Sequence, residues 1–136
     1  MKAFKILLFT GWFVLLAAFF AGNAFAQGEE ALNGVKAGIK AGSAKEVARY
    51  FNNSVEIGLN GDKASYSQAQ AEFVLKDFFA KTPPAGFEFL HQGSSNEGQK
   101  YAIGKYTAKS GSYRVFIVVK QAGSAYKIDT IDFTKE

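Results

Sequence analysis

The sequence predicts an α+β domain, with two or three amino-terminal helices packed on a curved antiparallel sheet in the order α-α-β-β-α-β-β-β-β. Three observations carry this expectation. Apolar residues recur at helical spacing in segments before Pro83-Pro84, whereas beyond the prolines the period is two throughout. Ser43-x-x-Glu46 and Ser67-x-x-Gln70 have the form of capping boxes that open helices. The links between the last four extended runs are short, which suits hairpins and antiparallel neighbours.

The amino terminus has the three parts of an export signal. Lys2 and Lys5 supply the positive end, Ile6 to Ala21 is free of charge, and Ala24-Phe25-Ala26 offers small residues at a cleavage spacing. The expected division is a signal peptide over 1–26 and one domain over 27–136, exported to the periplasm or the extracellular space. A retained membrane anchor is the competing reading, and only in that case would the chain contact a membrane. Loss of Lys2 and Lys5 lowers the formal charge from +4 to +2, too little to imply a nucleic-acid partner. The chain has no cysteine, so a hydrophobic core must hold the exported domain without disulfides. Eight Phe and six Tyr follow Gln27, enough large side chains for that core.

From Glu29 to Ala41, Leu32, Val35 and Ile39 form one helical stripe, and Gly42 is placed to end the helix. Gly34, Gly38 and Gly42 recur every four residues. Lys36 and Lys40 between them argue against a membrane dimer motif, which leaves close packing on a neighbour or a simple Ala/Gly bias. A second short helix begins after Ser43, carries Val47 and Phe51, and is expected to stop at Asn52-Asn53. Val55, Ile57 and Leu59 alternate with Glu56 and Gly58 as a strand with one buried face, and Asn60-Gly61 signals a hairpin returning as a short polar edge, Asp62 to Ser65. The third helix opens at Ser67. Its stripe is Ala71, Val74, Leu75, Phe78 and Phe79, with Phe73 off the stripe, and it ends near Lys81 because Thr82 precedes proline. Strands are then expected at Phe87 to Gln92, Gln99 to Ala108, Ser112 to Lys120 and Ala125 to Thr134. The apolar run Tyr113 to Val119 belongs at the centre of the sheet.

This element order, together with Phe51 to Gly61 after the second helix, the capped helix from Ser67 and the closing strand Tyr126 to Phe133, resembles the nuclear transport factor 2-like superfamily. These are cone-shaped, cystatin-like α+β domains that include ketosteroid isomerases, scytalone dehydratases and exported proteins without assigned activity. The resemblance covers the whole region after the signal. It implies a tapering cavity between the helices and the bent sheet, and isomerases of this kind carry a carboxylate base on the first strand. Glu56 is the only carboxylate there, and its parity turns it away from the apolar face.

His91, the only histidine, shares parity with Phe87 and Phe89 and is therefore expected to face the same space. Phe73, Phe89, His91, Tyr101 and Tyr113 are the candidate lining of a ligand cavity. One histidine and no cysteine leave only carboxylates to complete a zinc shell, so no metal site is expected. No serine nucleophile elbow, phosphate-cradling glycine loop or His-Glu-x-x-His helix appears, and neither a catalytic residue nor a cofactor is assigned. The Gln-x-Val-x-Gly hairpin of cystatin inhibitors is also missing. Basic residues gather late in the chain, at Lys105, Lys109, Arg114, Lys120 and Lys127.

The expected role is a non-catalytic exported module that binds a small apolar ligand or a protein partner through an apolar cavity or an open sheet face. A homodimer is one form such docking takes. The alternatives are a small isomerase or dehydratase using His91 with Tyr101 or Tyr113, and a structural component of the cell envelope.

Overall fold

A computed structural model describes residues 28–95 and 97–136. The signal segment expected over 1–26, with its cleavage site, falls outside the described residues. Among those described, no helix is long and apolar enough to cross a membrane.

Helix α1 covers 28–41 and buries Leu32, Val35 and Ile39. It closes in a Schellman motif. Gly42, at φ 68°, donates to the Ile39 carbonyl, and the Ser43 amide donates back to the Gly38 carbonyl at 2.9 Å. The glycine spacing reflects close packing: a Cβ at Gly34 would overlap the Tyr50 ring, and one at Gly38 would press on Val47. Helix α2, Ala44–Ala48, is capped by the Ser43 hydroxyl, which accepts from the Glu46 amide. The expected reciprocal bond from Glu46 is replaced. The Ser43 amide is already held by Gly38, and the Glu46 carboxylate pairs instead with Arg49 at 3.1 Å.

Strand β1 is Phe51–Leu59, so Asn52 and Asn53, expected to form a turn, lie within it. Phe51 pairs with Ile128, and the register then shifts before Glu56 meets Thr130, so the asparagines fall in an irregular stretch that tertiary pairing holds extended. Asn60 and Gly61 both have positive φ, as a type I′ turn requires, and lead into β2, Asp62–Ser67. Helix α3, Gln68–Lys81, has a complete capping box between Ser67 and Gln70 and buries Ala71, Leu75, Phe78 and Phe79. It is followed by β3 (Pro84–Ser94), β4 (Gln99–Ala108), β5 (Gly111–Ala122) and β6 (Ala125–Lys135), each at the expected place and three of them longer than expected.

The six strands form one sheet in the order β2-β1-β6-β5-β4-β3, with β5 in the interior as its apolar run demands. One expectation is corrected. The sheet is mixed, because β6 returns beside β1 and runs parallel to it, while every other pair is antiparallel. Period two identifies strands and short links identify hairpins, but neither fixes how the two ends of the chain meet. Register shifts in β1, β3 and β5/β6 bend the sheet around the helices.

The space under the bend is occupied by rings. Phe78 of α3 lies 4.6 Å from Phe133, 5.7 Å from Tyr106 and 5.7 Å from Tyr113, centroid to centroid. Tyr106 is fully buried, stacks on Phe79 and donates its hydroxyl proton to the Thr82 carbonyl at the end of α3. Burial above all, and the neighbouring Tyr113, hold its phenol well above the ordinary tyrosine range.

Candidate functional site

The five residues expected to line one cavity do not converge. Tyr113 belongs to the core cluster of rings. Phe89 packs partly buried on the inner face, edge-on to Phe87, with the Lys36 ammonium 5.8 Å from its ring. Phe73 stands on the outside of α3, 73% exposed, on a groove of about 580 Å³ beside β2.

His91 and Tyr101 lie on the opposite face of the sheet from Tyr113, Tyr101 by the plain alternation of β4 and His91 because of a single residue. Phe89 pairs with Gly104 and His91 with Ile103, so Leu90 is an extra residue in β3 without a partner. The bulge leaves Leu90 61% exposed and reverses the parity after it. His91 therefore faces outward, although two-residue counting from Phe87 and Phe89 placed it inward. The pairing of His91 with Tyr113 is removed by this geometry. The contact of His91 with Tyr101 exists, Nε2 to hydroxyl at 3.3 Å, on an exposed surface.

The outer face carries a row of rings across three strands. His91 lies 5.7 Å from Tyr101, and Tyr101 lies 6.3 Å from Phe116. Tyr101 can lie flat because its cross-strand partner is Gly93; a side chain there would collide with the tyrosine ring. Ile103, opposite both His91 and Phe116, and Val118, opposite Tyr101, fill the row into an apolar stripe, with Phe116 38% exposed. The signal for Phe116 was present in the sequence. Within Tyr113 to Val119 it alternates against the buried Tyr113, Val115, Ile117 and Val119, so it is an aromatic ring on the outward parity.

Charges frame the stripe on two flanks. Toward β6 and β1 stand Asp132, directly opposite Phe116, and Glu56, whose outward orientation agrees with its parity. Asp132 lies over Gly58 and 3.7 Å from the Lys63 ammonium. Along β4 and β5, past Ile103 and Phe116, stand Lys105 and Arg114, paired across the strands. Among the described residues, no three histidine or carboxylate side chains gather as a metal site would need.

Residues 32–134 match the model of a family described as a domain of unknown function, DUF4783. The chain belongs to this family. A DUF4783 protein from Bacteroides ovatus is similar over 76% of this chain and 93% of its own, at 28% identity and a TM-score of 0.73. A second, from Bacteroides fragilis, covers 76% of this chain and 96% of its own at 26% identity, with a TM-score of 0.72. An NTF2-like protein of unknown function from Shewanella baltica shares the fold at 12% identity, with a TM-score of 0.62 over 82% of this chain and 93% of its own. The DUF4783 fold is thus the NTF2-like cone. No curated protein matches the chain.

Proposed function

We propose that this DUF4783 protein is a non-catalytic assembly module of an exported compartment, and that it docks through the outer face of its sheet onto a second copy of itself. The observation that carries the reading is the inversion of what a cone-shaped enzyme needs. The interior is taken up by Phe78, Tyr106, Tyr113 and Phe133, while a stripe of rings and aliphatic side chains lies on the outside. His91 meets a tyrosine in the open, where water competes for every proton it could transfer. The choice of a second copy rests on charge. A two-fold axis running diagonally across the stripe exchanges its two flanks, bringing Glu56 and Asp132 of one copy toward Lys105 and Arg114 of the other. The export signal expected over 1–26 supports the compartment.

Native mass spectrometry of protein made from the full-length chain in exporting cells reads signal removal and stoichiometry together. The expected outcome is a processed chain in an even-numbered assembly whose mass Phe116→Asp halves. A wild-type monomer, or an assembly indifferent to Phe116→Asp, overturns the proposal.

A further inference from the structure

The two edges of the sheet are not alike. Strand β3 opens with a proline and has register shifts between Pro84 and Gly86 and between Phe89 and His91. These devices blunt an edge against pairing. Strand β2 has neither. Its six residues pair with β1 in unbroken register from Leu59↔Asp62 to Ser54↔Ser67, and no strand among the described residues lies beyond it. Asp62, Lys63, Ala64 and Ser65 are all exposed.

Hydrogen-bond alternation says which backbone groups this edge offers. In a two-residue hairpin the closing pair, here Leu59 and Asp62, exchanges both of its bonds. Asp62, Ala64 and Tyr66 therefore turn their amides and carbonyls toward β1, and Lys63 and Ser65 turn theirs away from the sheet. Ser67 is withdrawn, since its amide is held by the Gln70 side chain at 3.3 Å. Beside the edge, on the inner side, lies the groove lined by Tyr66, Ala69, Val74 and the exposed Phe73.

We infer that β2 is a strand-pairing site for the β2 of a second copy, through a two-fold axis at Ala64, separate from the outer-face contact. Antiparallel pairing centred there sets Lys63 against Ser65′ and Ser65 against Lys63′, the prime marking the other copy. Both are hydrogen-bonded pairs, so four bonds form and every outward group of Lys63 and Ser65 is satisfied. Any centre must put side chains of like parity opposite one another. The next such centre, at Ser65, sets Lys63 against Ser67′, whose amide is taken, so each of those two pairs is left one bond short. With the axis at Ala64, Asp62 falls opposite Tyr66′, and no like charges face each other. Lys63, which would otherwise repel an incoming strand, is held on the outer face by Asp132. The same rotation brings the two α3 helices together over the joined strands, so that each Phe73 is covered by the other copy's groove. This joins the bare edge and the most exposed large hydrophobic side chain among the described residues in one contact.

The absence of cysteine makes the test specific. In the proposed register Ala64 and Ala64′ form a non-hydrogen-bonded pair about 4.5 Å apart at Cα, within disulfide reach, whereas Ser65 and Ser65′ are more than about 7 Å apart. Under mild oxidation, protein made from the full-length chain with Ala64→Cys is expected to run as a covalent dimer on a non-reducing gel, and Ser65→Cys to stay a monomer. Adding Phe73→Asp to the Ala64→Cys chain is expected to slow bridging at least tenfold, and adding Phe116→Asp to leave its rate unchanged. Bridging that is absent at residue 64, equally fast at both positions, or directed to another polypeptide overturns the inference. Loss of bridging with Phe116→Asp overturns the edge as a separate site while leaving the outer-face proposal standing.

Discussion

Tyr106 shows how one side chain ties a helix to the sheet. Its ring touches Phe78, Phe79, Tyr113 and Phe133, and its hydroxyl binds the last carbonyl before Pro83. Tyr106→Phe keeps the rings and removes one buried bond, leaving the Thr82 carbonyl short of a partner. The expected loss is about 0.5–1.5 kcal/mol in urea unfolding at neutral pH. The pH dependence has a definite sign. Folding raises the phenol pKa, through burial first and Tyr113 second, so the folded state holds the proton more tightly than the unfolded chain does. That contribution is whole below about pH 10, where unfolded tyrosine titrates, and fades as pH rises beyond it. Comparing wild type with Tyr106→Phe at pH 7 and pH 11 checks this, since the wild type is expected to lose more of its stability at the higher pH.

The helix caps behave differently although both have the Ser-x-x-Glu/Gln pattern. At Ser67 both bonds of the box form, whereas at Ser43 the preceding Schellman motif has taken the amide that Glu46 would have reached. Gln70→Ala is therefore expected to destabilise by about 0.5 kcal/mol, and Glu46→Ala by less, since it removes only an exposed pair to Arg49. Chemical denaturation of the two variants tests the order. The same contrast marks what was legible in the sequence. The Asn60-Gly61 turn, the Gly42 stop, the Ser67 cap and the end of α3 before Pro83 are decided by neighbours in the chain, and all could be read from it. Asn52 and Asn53 could not, because their local turn preference yields to the pairing of β1 with a strand more than seventy residues later. The outward turn of His91 was hidden for a related reason. A bulge leaves the letters of a strand unchanged and is visible only against its partner, here β4. Phe116 was legible, since it shares the outward parity of Arg114, but from Val115 to Val119 core and surface positions are both apolar and nothing polar sets them apart.

For the molecule as a whole, the two self-complementary contacts proposed above have a definite arithmetic. Each contact alone makes a dimer; the two together, with their axes crossing at right angles, close a tetramer. Phe116→Asp and Ala64→Asp, which would set two carboxylates face to face on the two-fold, are each expected to halve the wild-type mass, and the double variant to be monomeric. Analytical ultracentrifugation of the four proteins reads this directly. A double variant heavier than one chain, or single variants at wild-type mass, contradicts the pair of contacts. The cone shape itself says little about this, because the space enclosed by helices and sheet is filled with rings and the surfaces available for contact lie outside it.

The unpaired Leu90 also changes how members of the family should be compared. A relative that keeps this residue but pairs it, so that the strand runs without a bulge, carries the side chain at the histidine position on the inner side of the sheet with Phe87 and Phe89, whereas one that lacks the extra residue keeps it outside. Two proteins that share a histidine in an alignment can thus hold it in water or in the interior, and whether the residue before it finds a cross-strand partner decides which.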